Sequence, residues 1–344
     1  MMAGVSVESP AWEDDVLPPP DWGRKPRSPL TTASALFAGS ALLLVAGRLW
    51  IAPALDVRAV DAWTTVFVAV CVQALPFLVF GVALSAAITA FVPAGFWTRV
   101  LPRRPGAAVP VAGALGAVLP GCECASVPVA GGLMARGVAP SAALAFLLAA
   151  PAVNPVVLVS TAVAFPGRPE MVAGRFAASL LTAVVAGWAW LAFGRGSWLR
   201  VLPQRPSAAG DGRWDAFRSA MAHDILHAGG FLVVGGAAAA TINVALPASW
   251  VASVAGIPVV SILVLALLAV LMSICSEADA FVAASLTGFS PTARLVFLVV
   301  GPMVDLKLIA LQTGFFGRAF AVRFIPLTFA LAVVSGTAVG SVLL

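Results

Sequence analysis

Nine long apolar runs, at 30–54, 63–92, 107–135, 141–165, 171–193, 226–246, 251–286, 292–316 and 319–344, leave this chain few folds to choose from. A bilayer span takes about 20 apolar residues, and most of these runs reach or exceed that. Soluble domains carry about 25% charged residues. Here the figure is 10%, with 61% hydrophobic residues and a mean hydropathy of +1.02. A water-soluble enzyme and a disordered chain are both excluded. A transmembrane barrel needs alternating apolar and polar positions, and a stretch such as 142–150, Ala-Ala-Leu-Ala-Phe-Leu-Leu-Ala-Ala, does not alternate. The 31 Gly and 26 Pro fall among and inside the runs. Membrane helices tolerate them because neighbouring helices satisfy the freed backbone groups. The expectation is an all-α polytopic membrane protein.

The net charge of +5 is not a nucleic-acid signal, because eighteen of the 20 basic residues lie between or beside the runs, where topology is set. The lipid bilayer is the expected partner, with no nucleic acid. Residues 1–28 are polar and Pro-rich without an apolar signal-peptide core, and read as a disordered cytosolic leader. An extra transmembrane helix and loop follow at 29–61. A first transport repeat is assigned to 62–194, a basic cytoplasmic linker to 195–223, and a second transport repeat to 224–344.

The two repeats are read from register. Phe77-Leu-Val-Phe-Gly81 matches Phe231-Leu-Val-Val-Gly235, and Pro93 matches Pro247. Cys122 falls on Cys275, Pro140 on Pro291, Pro151 on Pro302, Asn154 opposite Asp305, and Arg175 on Arg323. A chance match between two Ala/Val/Leu-rich stretches would not keep register at Pro, Cys and Gly. If all nine runs crossed fully, the basic residues outside them would divide evenly between the two sides. If instead 107–135 and its counterpart 251–286 are re-entrant hairpins, the halves are inverted. Only Arg48, Arg58, Arg168 and Arg294 then lie outside, with the N-terminus cytoplasmic. That division obeys the positive-inside rule. The chain is therefore expected to hold two inverted repeats, each with a broken or re-entrant helix hairpin. Such repeats with broken helices are the architecture of secondary transporters.

Ionisable groups at membrane depth are costly and functional by default, and here they gather at the breaks. Cys122, Glu123, Cys124 and Ser126 follow Pro120-Gly121. Cys275, Ser276, Glu277 and Asp279 take the same place in the second half. One run further on come Asn154, between Pro151 and Pro155, and then Asp305 and Lys307 after Gly301-Pro302. Unwound backbone beside a helix N-terminus favours anions, a thiolate at Cys122 or Cys124 included. Soft thiolates select soft, thiophilic centres over Mg or Ca. Glu123, Glu277 and Asp279 have the chemistry to couple transport to protons. Asp305 and Lys307, two apart on a helix, would not face each other, which leaves each to pair across the repeat interface or with another partner. The plainer reading of Glu277, Asp279 and Asp305 is structural pairing with Lys307.

Plainer readings stand beside these. Cys71, alone in an apolar run, reads as packing. Cys-x-Cys is a weak metal signal without the four-ligand zinc spacings. His223 and His227, at i and i+4, suit solvated interfacial positions better than ligation. No cofactor motif is present, and no Walker-type phosphate loop. A membrane thiol redox enzyme using Cys122 and Cys124 is an alternative, although Cys-x-Cys closes a short, strained ring. A divalent or soft heavy-metal exporter using the carboxylates and Cys275 is another.

Gly-Cys-Glu-Cys-Ala-Ser-Val-Pro-Val-Ala at 121–130, Ala-Ala-Pro-Ala-Val-Asn-Pro at 149–155 and Gly-Pro-Met-Val-Asp-Leu-Lys at 301–307 resemble the bacterial permease family that contains the organoarsenical efflux permeases. The resemblance covers roughly residues 63 to 344. It implies an integral plasma-membrane exporter of small solutes, not an enzyme, with trivalent organoarsenicals as the best-known cargo. The positions it carries over are Cys122, Glu123, Cys124, Asn154, Asp305 and Lys307.

Overall fold

The computed structural model describes residues 57–92, 96, 101–102, 104–117, 123–199, 212–245 and 258–344. The leader 1–28, most of 29–61, the Pro120-Gly121 break, Cys122 and the middle of the linker lie outside the described residues. Those described form twelve α-helices and one 3-10 turn, and no strand.

In chain order the helices are α1 Val57–Phe91, α2 Pro105–Gly116, α3 Glu123–Ala135, α4 Pro140–Val153, α5 Pro155–Ala164 and α6 Pro169–Phe193. The second half supplies α7 Arg213–Ala245, α8 Pro258–Met272, α9 Asp279–Ser285, α10 Pro291–Val300, α11 Leu306–Phe316 and α12 Arg318–Leu343. Six of them, α2, α4, α5, α6, α8 and α10, begin on proline. The first N–H groups of a helix have no partner within it, and proline has no N–H to leave unsatisfied. In a bilayer core, where no water substitutes, that choice of first residue lowers the cost of ending a helix at depth.

Five helices are long and apolar enough to cross a membrane: Ala59–Ile88, Pro140–Ala164 (α4 running into α5), Pro169–Phe193, Arg213–Thr241 and Arg318–Leu343. The 35 residues of α1 extend about 52 Å at 1.5 Å per residue, well beyond the roughly 30 Å hydrocarbon core. By contrast α2, α3, α8, α9, α10 and α11 are each too short to cross alone. The run 107–135 holds parts of α2 and α3, and 251–286 contains α8 and α9, with residues 273–278 non-helical between those two. α7 begins at Arg213, inside the stretch read as the linker 195–223.

The middle of the protein is α4, in which every residue from Ser141 to Val153 is buried. In the Pro140–Ala164 span 78% of the apolar window is inside the protein, against 22% for α1, so α1 is the peripheral helix of the two. Helix pairs recur between the halves. α4 packs on α2, α3 and α6 as α10 packs on α8, α9 and α12. Across the halves α3 packs on α11 and α9 on α5, while α1 meets α7 and α6 meets α12. The repetition is incomplete, most plainly around α1 and α7. α1 lies along α3 and α7 along α11, but among the described residues the corresponding pairs, α1 with α5 and α7 with α9, do not lie along one another.

Candidate functional site

Among the described residues three helix breaks, at Asn154, at 273–278 and at Asp305, are each closed by polar side chains. At the first, Asn154 leaves the helix with φ −69° and ψ 156°. Its Nδ2 donates to the Ala150 carbonyl at 3.0 Å, and its Oδ1 accepts from the Val157 N–H at 3.0 Å. One amide thus satisfies an acceptor at the end of α4 and a donor at the start of α5. Asp305, the residue the repeat register set opposite Asn154, caps α11 the same way: its Oδ1 accepts from the Leu308 N–H at 2.6 Å. Replacing Asn154 by Ala should cost about 1 kcal/mol, the usual value of an N-cap. Asn154→Asp should keep the cap, which thermal unfolding of the detergent-purified protein would compare directly.

The break between α8 and α9 turns on Ser273, which adopts φ 49° without being glycine. That left-handed backbone is unfavourable for an L-residue and here ends α8. The Ser273 hydroxyl donates to the Val270 carbonyl at 3.0 Å and accepts from the Leu306 N–H at 3.0 Å. It ties the break at 273–278 to the head of α11.

Charged side chains then close the interface between the halves. Glu123, fully buried, opens α3, where a carboxylate suits the helix dipole. Its Oε1 accepts from Lys307 Nζ at 3.0 Å, and Ser276 Oγ lies 3.5 Å from Oε2. Lys307 also stands 3.3 Å from Asp305 Oδ2. This corrects the expectation that Asp305 and Lys307 do not face one another. Helical spacing governs only residues within a helix, and Asp305 is the extended cap before α11, so its carboxylate folds back along the first turn.

A second buried pair joins the halves on the other side. Arg175, on α6, has no exposed surface. Its Nη1 donates to Thr161 Oγ1 at 2.8 Å. Nη2 donates to the Ser276 carbonyl at 3.0 Å and to both carboxylate oxygens of Asp279, at 2.9 and 3.0 Å. Asp279 opens α9 as Glu123 opens α3.

The remaining expected residues take varied places. Cys124 and Cys275 are buried and hold thiols, not disulfides. Cys124 follows Glu123 on α3, and Cys275 precedes Ser276, whose Oγ lies 3.5 Å from Glu123 Oε2. Glu277 is half-buried, within reach of Glu123, Arg175 and Lys307, and has no cation at ion-pair distance among the described residues. Ser126 donates its hydroxyl to the Glu123 carbonyl at 2.9 Å, inside its own helix. Among the described residues no three His, Cys, Asp or Glu side chains are grouped to hold a metal ion. The sequence reading had passed over Arg175, Thr161 and Ser273. Arg175 carried a signal, being a cation inside an apolar run, and ionisable groups there are functional by default. Thr161 and Ser273 carried none.

The chain is 30% identical over 278 residues to the UPF0718 protein YcgR of Bacillus subtilis (strain 168), covering 78% of this chain and 93% of that protein. It is 29% identical over 268 residues to a putative two-component membrane permease complex subunit of Streptococcus mutans serotype c, covering 76% of this chain and 89% of that one. No solved structure matches. Residues 60–341 match the family described as "Predicted permease". This chain is a member of that permease family.

Proposed function

We propose that the protein exports a small thiophilic solute, a trivalent organoarsenical or a similar species, by alternating access between two inverted halves. The reading rests on one observation above the others. Cys124 and Cys275 come from opposite halves and each adjoins a residue of the Glu123–Lys307–Ser276 contact that joins those halves. Two thiols from opposite sides of a moving interface suit a soft, trivalent centre. The division of basic residues between the loops favours inversion of the halves. The unequal packing of α1 and α7 is what a rocking pair would present in one of its two positions.

Proton coupling is part of the proposal. Where the two halves meet, the described residues place four carboxylates, Glu123, Glu277, Asp279 and Asp305, with two cations, Arg175 and Lys307. Unbalanced charge in a low-dielectric interior is expensive, so the excess is met by protons or by positive charge on the cargo. Glu277, with no cation in contact, is the carboxylate assigned to proton exchange.

The test is expression in a host stripped of its own arsenical exporters, challenged with a methylated trivalent arsenical and a panel of soft divalent metals. Resistance to the arsenical is expected, and lost in Cys124→Ser and Cys275→Ser. Full resistance in Cys122→Ser, Cys124→Ser and Cys275→Ser chains would remove the thiol role. Resistance to metals alone would move the cargo to a soft cation. The "two-component" description of the streptococcal relative makes co-expression with a neighbouring membrane subunit the natural second arm.

A further inference from the structure

We propose that Arg175 is a positioning residue for the permeation site, fixing the 273–278 segment through the Ser276 carbonyl and the Asp279 carboxylate so that Cys275 and Glu277 stand beside the Glu123–Lys307 pair. This rests on reading that segment as part of the cargo site. A guanidinium presents several donors in a rigid planar fork. Here one nitrogen holds Thr161 on α5, and the other holds a carbonyl and a carboxylate on either side of Glu277. The segment needs such a tie. It is non-helical between Met272 and Asp279 and begins at a left-handed serine. Arg175 itself lies at neither break, so its effect on cargo is transmitted.

The position in the fold makes the role specific. α9 packs on α5 as α3 packs on α11. The α3–α11 junction carries the Glu123–Lys307 pair, and Arg175 of α6 reaches the α5–α9 junction, holding Thr161 on one side and Asp279 on the other. Lys307 serves the junction that carries Cys124. Arg175 serves the one that leads to Cys275. Loss of Arg175 should therefore loosen one thiol and not the other.

Two full-length backgrounds, each retaining a single cysteine at 275 or at 124, would be labelled with a maleimide in membrane vesicles without any cargo. Arg175→Gln alone leaves Asp279 as a buried unpaired charge, which is strongly destabilising. The deciding variant is therefore Arg175→Gln with Asp279→Asn, which removes both charges. Cys275 should then label at least about ten-fold faster through easier local opening, while Cys124 labels at its original rate. An unchanged Cys275 rate would overturn the proposal and leave Arg175 a mere charge balance for Asp279. A parallel rise at both cysteines would also overturn it, by pointing to general loosening. Because no cargo is involved, a negative resistance panel leaves this result standing, and the reverse also holds.

Discussion

Lys307→Met should be the most damaging single substitution in this protein. It leaves Glu123 and Asp305 buried with their cation gone, and breaking a buried pair from one side costs about 3–5 kcal/mol. The apparent melting temperature of the detergent-purified chain should fall by on the order of 10 °C, read by size-exclusion chromatography after heating. A triple variant, Glu123→Gln, Asp305→Asn and Lys307→Met, separates stability from function. Asn caps a helix as well as Asp does, and neutral groups carry little desolvation penalty. The triple variant should regain most of the lost stability yet confer no resistance on the host. If the triple variant stayed as unstable as Lys307→Met, packing of the lysine stem and not its charge would be what α11 requires.

Gly235→Val should follow closely, through packing alone. A Cβ at Gly235 would stand 2.7 Å from the Lys307 Cα and 3.2 Å from the Leu306 carbonyl oxygen. Those are backbone atoms with no rotamer to yield, so α7 must move away from α11. Overpacking of this kind costs roughly 1–3 kcal/mol, and α11, the helix pressed upon, is the one that carries Lys307. Gly81, its counterpart by register, meets the Ala125 backbone of α3 in the same manner. The Gly235 variant should lower the melting temperature and weaken the coupling between Lys307 and Glu123, measured by a double-mutant cycle with Glu123→Gln. An unaltered coupling energy would mean that α7 can shift without carrying α11 along.

Much of the fold could be read from local chemistry. Proline at the head of a run marks where a helix starts, and the breaks at Asn154 and Asp305 followed from a polar cap between prolines or glycine. The shared register of those two residues in the repeats matches their shared task in the structure. What local pattern does not carry is partner choice across distance. Glu123 and Lys307 are 184 residues apart, and Arg175 and Asp279 are 104 apart. Nothing in the spacing of either pair states that they meet. Asp305 and Lys307 meet although two apart because the first lies in the extended cap, where helical periodicity does not hold. α7 begins at Arg213, ahead of the apolar run at 226–246, because its first turns are polar and hydropathy does not mark them as helix.

The 184-residue separation within the Glu123–Lys307 pair also sets a problem of timing for the cell. At translation rates of roughly 5–20 residues per second, Glu123 leaves the ribosome about 10 to 40 seconds before its lysine exists. During that interval Glu123 is without the partner that α11 will supply, and a chain truncated before α11 never gains it. The bond that joins the two halves can therefore form only late in synthesis, once α11 has been made.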